Sequence, residues 1–115
     1  MSIKLIARIC AVVAIIAVVI FALGPEEWQP RSGLGWGFDH FFGYFVITAV
    51  FCLAWPRPFV VGIALMVFSA LLEGLQAFTP DRSANVWAAL AGSGGALAAA
   101  LLAALFFRLQ RRRAG

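Results

Sequence analysis

The sequence predicts an all-α membrane protein: a bundle of four transmembrane helices with both termini cytoplasmic. Three observations lead there. Of 115 residues, 63% are hydrophobic and 12% charged, against about 45–50% and about 25% in soluble domains. A chain this short buries the smallest fraction of its surface, so that much apolar area excludes both a water-soluble monomer and a disordered polymer. The apolar residues also fall in four long runs with short breaks, which make one integral membrane domain over residues 1–115. Finally, the basic residues gather on one side of the resulting topology. Membrane β-strands would alternate apolar and polar positions, whereas these runs are apolar all round and must satisfy their backbone groups internally, as helices do.

The first helix is expected at about residues 5–23, ended by Gly24, Pro25, Glu26 and Glu27. Lys4 and Arg8 give it the positive start of a signal peptide. Its uncharged stretch from Ile9 to Leu23 is at the upper limit for one, and Pro25 directly follows the only small-x-small site, Ala22-Leu23-Gly24. A retained signal-anchor helix is therefore expected. The second helix, about 40–55, stops at Pro56-Arg57-Pro58 and is short for a ~30 Å hydrocarbon layer, so it should begin in the interface. The third spans about 58–78 and contains one carboxylate, Glu73. The fourth runs from about 84 to 107, ahead of a basic tail at 108–115.

With the N-terminus inside, Lys4, Arg8, Arg57, Arg108, Arg111, Arg112 and Arg113 are cytoplasmic, while Arg31 and Arg82 lie outside. Trp36 and Trp87 then sit at the outer interface and Trp55 at the inner one, as an aromatic belt requires. All five acids fall at or near the outer side. Cys10 and Cys52 lie toward the cytoplasmic ends, where thiols stay reduced, and two cysteines without nearby ligands make no metal site. The basic tail is read as a topology determinant resting on anionic membrane lipids, not as a nucleic-acid contact. Gly33-Leu34-Gly35-Trp36-Gly37 has no preceding strand and no lysine, so it is read as a turn and not a phosphate loop.

Helices in lipid associate through close packing and interhelical hydrogen bonds. On the fourth helix Ala84, Ala88, Gly92, Ala96, Ala100 and Ala104 recur every four residues, beside Ala91, Gly95, Ala99 and Ala103. Packing within the chain is the expected use of this face, and a homo-oligomer through helix four the competing one.

His40, Tyr44 and Thr48 share a face of helix two, and Ser69, Glu73 and Gln76 share a face of helix three. With Asp39, Asp81 and Arg82 these gather near the outer leaflet. Glu73 stands five residues before Phe78, roughly 7–8 Å inside the expected helix end, and a carboxylate at that depth needs a partner. A structural account makes Asp39 the N-cap of helix two, lets Thr79 cap helix four with Pro80 at its first position, and pairs Glu73 with Arg82. A functional account makes Asp39, His40, Tyr44, Glu73, Gln76 and Arg82 a ligand-binding pocket open to the outer face. No catalytic triad, metal site or cofactor motif accompanies them. His40 with Glu73 supplies acid–base groups but identifies no substrate.

The order His40-Phe41-x-x-Tyr44, Glu73-x-x-Gln76 and Gln76-x-x-x-Pro80-x-Arg82 resembles the VanZ-like membrane proteins, over about residues 36–100. The resemblance implies a small bacterial inner-membrane protein of the cell envelope, in a family whose namesake is associated with reduced susceptibility to the glycopeptide antibiotic teicoplanin. Trp36-Gly37-Phe38-Asp39 stands where the family often carries Asp-Lys-x-x. Ala88 and Gly92 stand where it commonly has Asp and Asn, so the pocket's fourth wall, expected on helix four, has lost its polar groups. The chain reads as a divergent member that binds an envelope lipid or glycopeptide-related ligand. The other function classes are a proton-coupled small multidrug exporter, a structural membrane subunit and an enzyme acting on envelope lipids. The exporters carry their essential carboxylate in helix one, which here has none.

Overall fold

The computed structural model describes residues 2–79 and 85–114, and for Glu26 the backbone only. Four α-helices follow in order: α1 Ile3–Leu23, α2 Trp36–Ala54, α3 Pro58–Gln76 and α4 Val86–Ala114. No strand occurs among the described residues. Each helix is long and apolar enough to cross a membrane.

Local chemistry sets the boundaries. Ser2 caps α1 by accepting the Leu5 N–H at 3.1 Å. Gly24 closes it, its N–H donating to Ile20 O at 2.8 Å, and a short 3-10 turn follows at Glu26–Trp28. A methyl group on Gly24 would stand 2.9 Å from the Trp28 ring, so this turn needs glycine. α2 begins four residues earlier than expected, at Trp36, because Gly33 (φ 87°) and Gly35 (φ 111°) take the left-handed backbone that ends the loop. Its 19 residues reach about 28 Å, so α2 is not short. Pro58 opens α3 at its first turn, where the missing N–H costs nothing.

α4 differs most from expectation. It starts at Val86, with Asn85 as its cap: the Trp87 N–H donates to Asn85 Oδ1 at 2.9 Å. Thr79 instead donates its hydroxyl to Gln76 O at 2.8 Å, closing α3, so the expected Thr79 cap of helix four is corrected. Pro80, Asp81 and Arg82 lie outside the described residues. At its other end α4 continues to Ala114, so the basic tail is helical through that residue. Arginine, leucine and glutamine are good helix formers, and cations are favoured in a last turn.

The helices run up-down-up-down, and cross-contacts at each end fix this. Arg8, near the start of α1, donates to Ala54 O at the end of α2 at 3.3 Å, and its guanidinium lies 5.4 Å from the Trp55 ring centroid. At the opposite end Gln76 Nε2 donates to Ala22 O at 2.9 Å, satisfying a carbonyl left over in the last turn of α1. The start of α1 and the end of α4 therefore share one end, and the starts of α2 and α4 share the other, with exposed Trp36 and Trp87.

α4 is the packing centre for α2 and α3, and α1 packs on α2 and α3. The small-residue face of α4 is used within the chain. A Cβ at Gly62 of α3 would stand 2.6 Å from Ala100 Cβ, and one at Gly92 would stand 2.9 Å from the Tyr44 ring. Gly95 seats against the backbone of Phe41. Ser93 donates to Met66 O and Ser69 to Ala89 O, both at 3.4 Å. In α1 only Ala11 is buried. Val60, Ile63, Val67 and Leu71 on α3 are exposed, as lipid-facing side chains would be. Both cysteines are free.

Candidate functional site

The site lies at the end where α2 and α4 begin. In α2 the buried residues Tyr44, Ile47, Thr48 and Cys52 form one stripe, and His40 continues it one turn toward the helix start. His40 Nδ1 stands 2.9 Å from Trp36 O. A carbonyl only accepts, so this contact puts a proton on Nδ1 and leaves Nε2 facing α3. There Nε2 stands 3.8 Å from Glu73 Oε2.

In α3 the buried stripe Val61, Leu65, Ser69, Leu72, Glu73 and Gln76 ends in two polar groups. Glu73 is 7% exposed. Its Oε1 accepts the Asn85 N–H at 2.9 Å, so the carboxylate sits at the start of α4, where the helix dipole favours an anion. Because α3 ends at Gln76 and not Phe78, Glu73 lies about 4.5 Å from the helix end. This shallower position lowers the cost of burying it. The described partners of Glu73 are Asn85 and His40; the expected partner Arg82 falls outside the described residues.

Asp39 is not the cap of α2, a position held by Gly35. Its carboxylate accepts the Ser32 hydroxyl and, at 3.4 Å, the Ser32 N–H. It thereby ties the 31–35 loop to the first turn of α2, because the helix starts ahead of it. Tyr44 is buried between Ser69 and Gly92, near Glu73. Gly92 has no room for a side chain, since a Cβ there would collide with Ser69 Oγ. The fully buried Thr48 hydroxyl has no hydrogen-bond partner among the described residues.

Asp39, His40, Tyr44, Glu73 and Gln76 all line one cavity of about 220 Å³. Gly43, Ile47 and Leu72 complete its α2 and α3 walls. The remaining described walls come from Val18, Phe21 and Ala22 of α1 and from Gln29 and Pro30. Helix four was expected as the fourth wall; among the described residues the wall is α1, because α4 is occupied by its contacts with α2 and α3. A second depression of about 480 Å³, under the 30–36 loop, shares Asp39 and His40 with the cavity.

The α1 wall and Asn85 are what sequence reasoning missed. Asn85 had a signal, since an Asn directly before an apolar run is a cap, but Thr79-Pro80 competed for that role. The α1 wall had none, being apolar throughout. Among the described residues no three His, Cys, Asp or Glu side chains gather as a metal site. No family model, curated protein or solved structure matches the chain.

Chemically, the site presents two acceptors to a ligand. With Nδ1–H committed to Trp36, a neutral His40 offers Nε2 as an acceptor, and Glu73 Oε2 is the second. Their 3.8 Å separation exceeds a hydrogen bond, so a hydroxyl or amine placed at the pair can donate to either one. The apolar α1 wall suits an alkyl segment.

Proposed function

We propose that this chain is a divergent VanZ-like envelope protein of the bacterial inner membrane, with both termini cytoplasmic, that binds an envelope lipid. The lipid's hydroxyl- or amine-bearing head group is held by His40 and Glu73, and its apolar part lies along α1. One observation carries the reading. Polar residues of two short motifs, His40 and Tyr44 on α2 and Glu73 and Gln76 on α3, line a single cavity at the end opposite Lys4, Arg8, Arg57 and the arginines that close α4. The family assignment rests on the motif order His40…Tyr44, Glu73…Gln76, Pro80…Arg82, and the orientation on the seven-to-two distribution of basic residues. The cavity volume of about 220 Å³ lies below the roughly 300–1,000 Å³ of pockets that enclose a drug-sized ligand. It therefore favours a head group over a whole glycopeptide.

Glu73 also pins α3 to the start of α4 through Asn85, so its test must separate structure from binding. Glu73→Gln keeps a carbonyl acceptor for the Asn85 N–H and removes the charge. In a host where loss of this protein alters teicoplanin susceptibility, Glu73→Gln and His40→Ala are expected to reproduce the loss at unchanged membrane level. Wild-type susceptibility from both variants overturns the binding reading.

The His40–Glu73 pair also supports a second reading, proton-coupled export, because it places an acid–base pair within a cavity. Proteoliposomes that show no proton-dependent efflux of cationic dyes eliminate it.

A further inference from the structure

The end that holds the start of α1 and the end of α4 carries a second recess, unrelated to the polar cavity. It lies between the start of α3 and the last turns of α4, encloses about 480 Å³, and is lined by Pro58 and Phe59 on one side and Leu105, Phe107, Arg108 and Arg111 on the other. The helical continuation of α4 to Ala114 makes this recess. It sets Arg108 and Arg111 three residues apart on one face, whereas a disordered tail would leave them without fixed direction.

No acidic side chain opposes the charge at this recess. The sequence holds no Asp or Glu between Asp39 and Glu73 and none after Asp81, so the first half of α3, all of α4 and the tail carry no acidic side chain. Glu73 is fifteen residues beyond Pro58, about 22 Å along α3. The walls are apolar and open: Phe59 and Leu105 are 61% and 51% exposed. Two guanidiniums above an open apolar groove match an amphiphile with an anionic head. Arginine's planar fork binds phosphate oxygens in pairs.

We propose that this recess is a binding site for one anionic phospholipid. Its phosphate is held between Arg108 and Arg111 and its acyl chains run along Phe59 and Leu105. This goes beyond diffuse attraction of a basic tail to a membrane surface, because Arg112 and Arg113 do not line the recess although they carry equal charge.

That difference supplies the test. The full chain in detergent micelles is titrated with phosphatidylglycerol against a phosphatidylcholine background, and bound lipid is counted by native mass spectrometry. The wild type is expected to retain one phosphatidylglycerol in preference to phosphatidylcholine. Arg108→Gln/Arg111→Gln loses roughly tenfold or more in affinity, while Arg112→Gln/Arg113→Gln changes by less than about threefold. Ala104→Leu fills the recess, where Ala104 is a lining residue, keeps every charge, and also weakens retention. Equal losses from the two double variants, or no loss from either, overturn the proposal. So does an Ala104→Leu variant that folds and binds like the wild type.

Discussion

Gly94 and Gly95 are neighbours on α4 with opposite tolerance for a methyl group. A Cβ at Gly94 stands 3.6 Å from the Phe41 ring, an ordinary contact. At Gly95 it overlaps the Phe41 carbonyl oxygen and stands 2.8 Å from the carbonyl carbon. That is about 0.6 Å inside the 3.4 Å at which ordinary contact begins, and the obstacle is backbone, so α2 and α4 must part. Either alanine gains about 0.8–1 kcal/mol of helix propensity. This gain is common to both variants, so their difference isolates the steric cost, about 1–3 kcal/mol for overpacking. Gly94→Ala is therefore expected to match or exceed the wild type, and Gly95→Ala to be the less stable of the two by that amount. Thermal unfolding in detergent micelles, followed by far-UV circular dichroism, resolves the gap at roughly 4 °C or more per kcal/mol. Equal stabilities would refute the close approach of α4 to α2, and the reverse order would show that α4 is turned by one residue.

Two further expectations follow from the helix ends. Asn85→Ala removes the cap of α4 and is expected to cost about 1 kcal/mol, while Asn85→Ser, which keeps a capping oxygen, stays within about 0.5 kcal/mol; the same melting experiment compares them, and equal losses would show that the Asn85 side chain does not cap α4. Gln76→Leu removes the hydrogen bond to Ala22 O and is expected to speed amide exchange in the last turn of α1 about 2- to 12-fold, the equivalent of a net 0.5–1.5 kcal/mol bond. Unchanged exchange would show that Gln76 does not hold α1 to α3.

Four helices were legible because three apolar runs are long enough to span a bilayer, the second falls only a little short, and polar or proline-containing breaks separate them. The face shared by His40 and Tyr44, and that shared by Glu73 and Gln76, were legible because helical spacing and topology place them at one depth. Helix ends were less so. Trp36-Gly37-Phe38-Asp39 looks like loop until Gly35 is seen to take the left-handed turn instead, and that conformation made Asp39 a loop anchor and not a cap. Arg108–Arg113 was set apart as a basic tail because the apolar run stops at Phe107, while the helix propensity of arginine, leucine and glutamine carries no apolar signal. The α1 wall was not legible at all: Val18, Phe21 and Ala22 carry no polar signal, and only packing shows which lipid-like face turns inward.

In the proposed function the His40–Glu73 cavity opens to the side of the membrane opposite the start of α1 and the end of α4. Gly43 lines that cavity, and a Cβ there meets nothing within 4 Å, so Gly43→Cys places a thiol in it without disturbing the helices. The measurement uses a background of Cys10→Ser and Cys52→Ala and a membrane-impermeant maleimide applied to intact spheroplasts. Gly43→Cys is expected to be labelled from outside, the fully buried Thr48→Cys not at all, and Arg112→Cys only after permeabilisation. A Gly43→Cys that stays unlabelled until the membrane is opened, or an Arg112→Cys labelled in intact spheroplasts, would contradict this orientation.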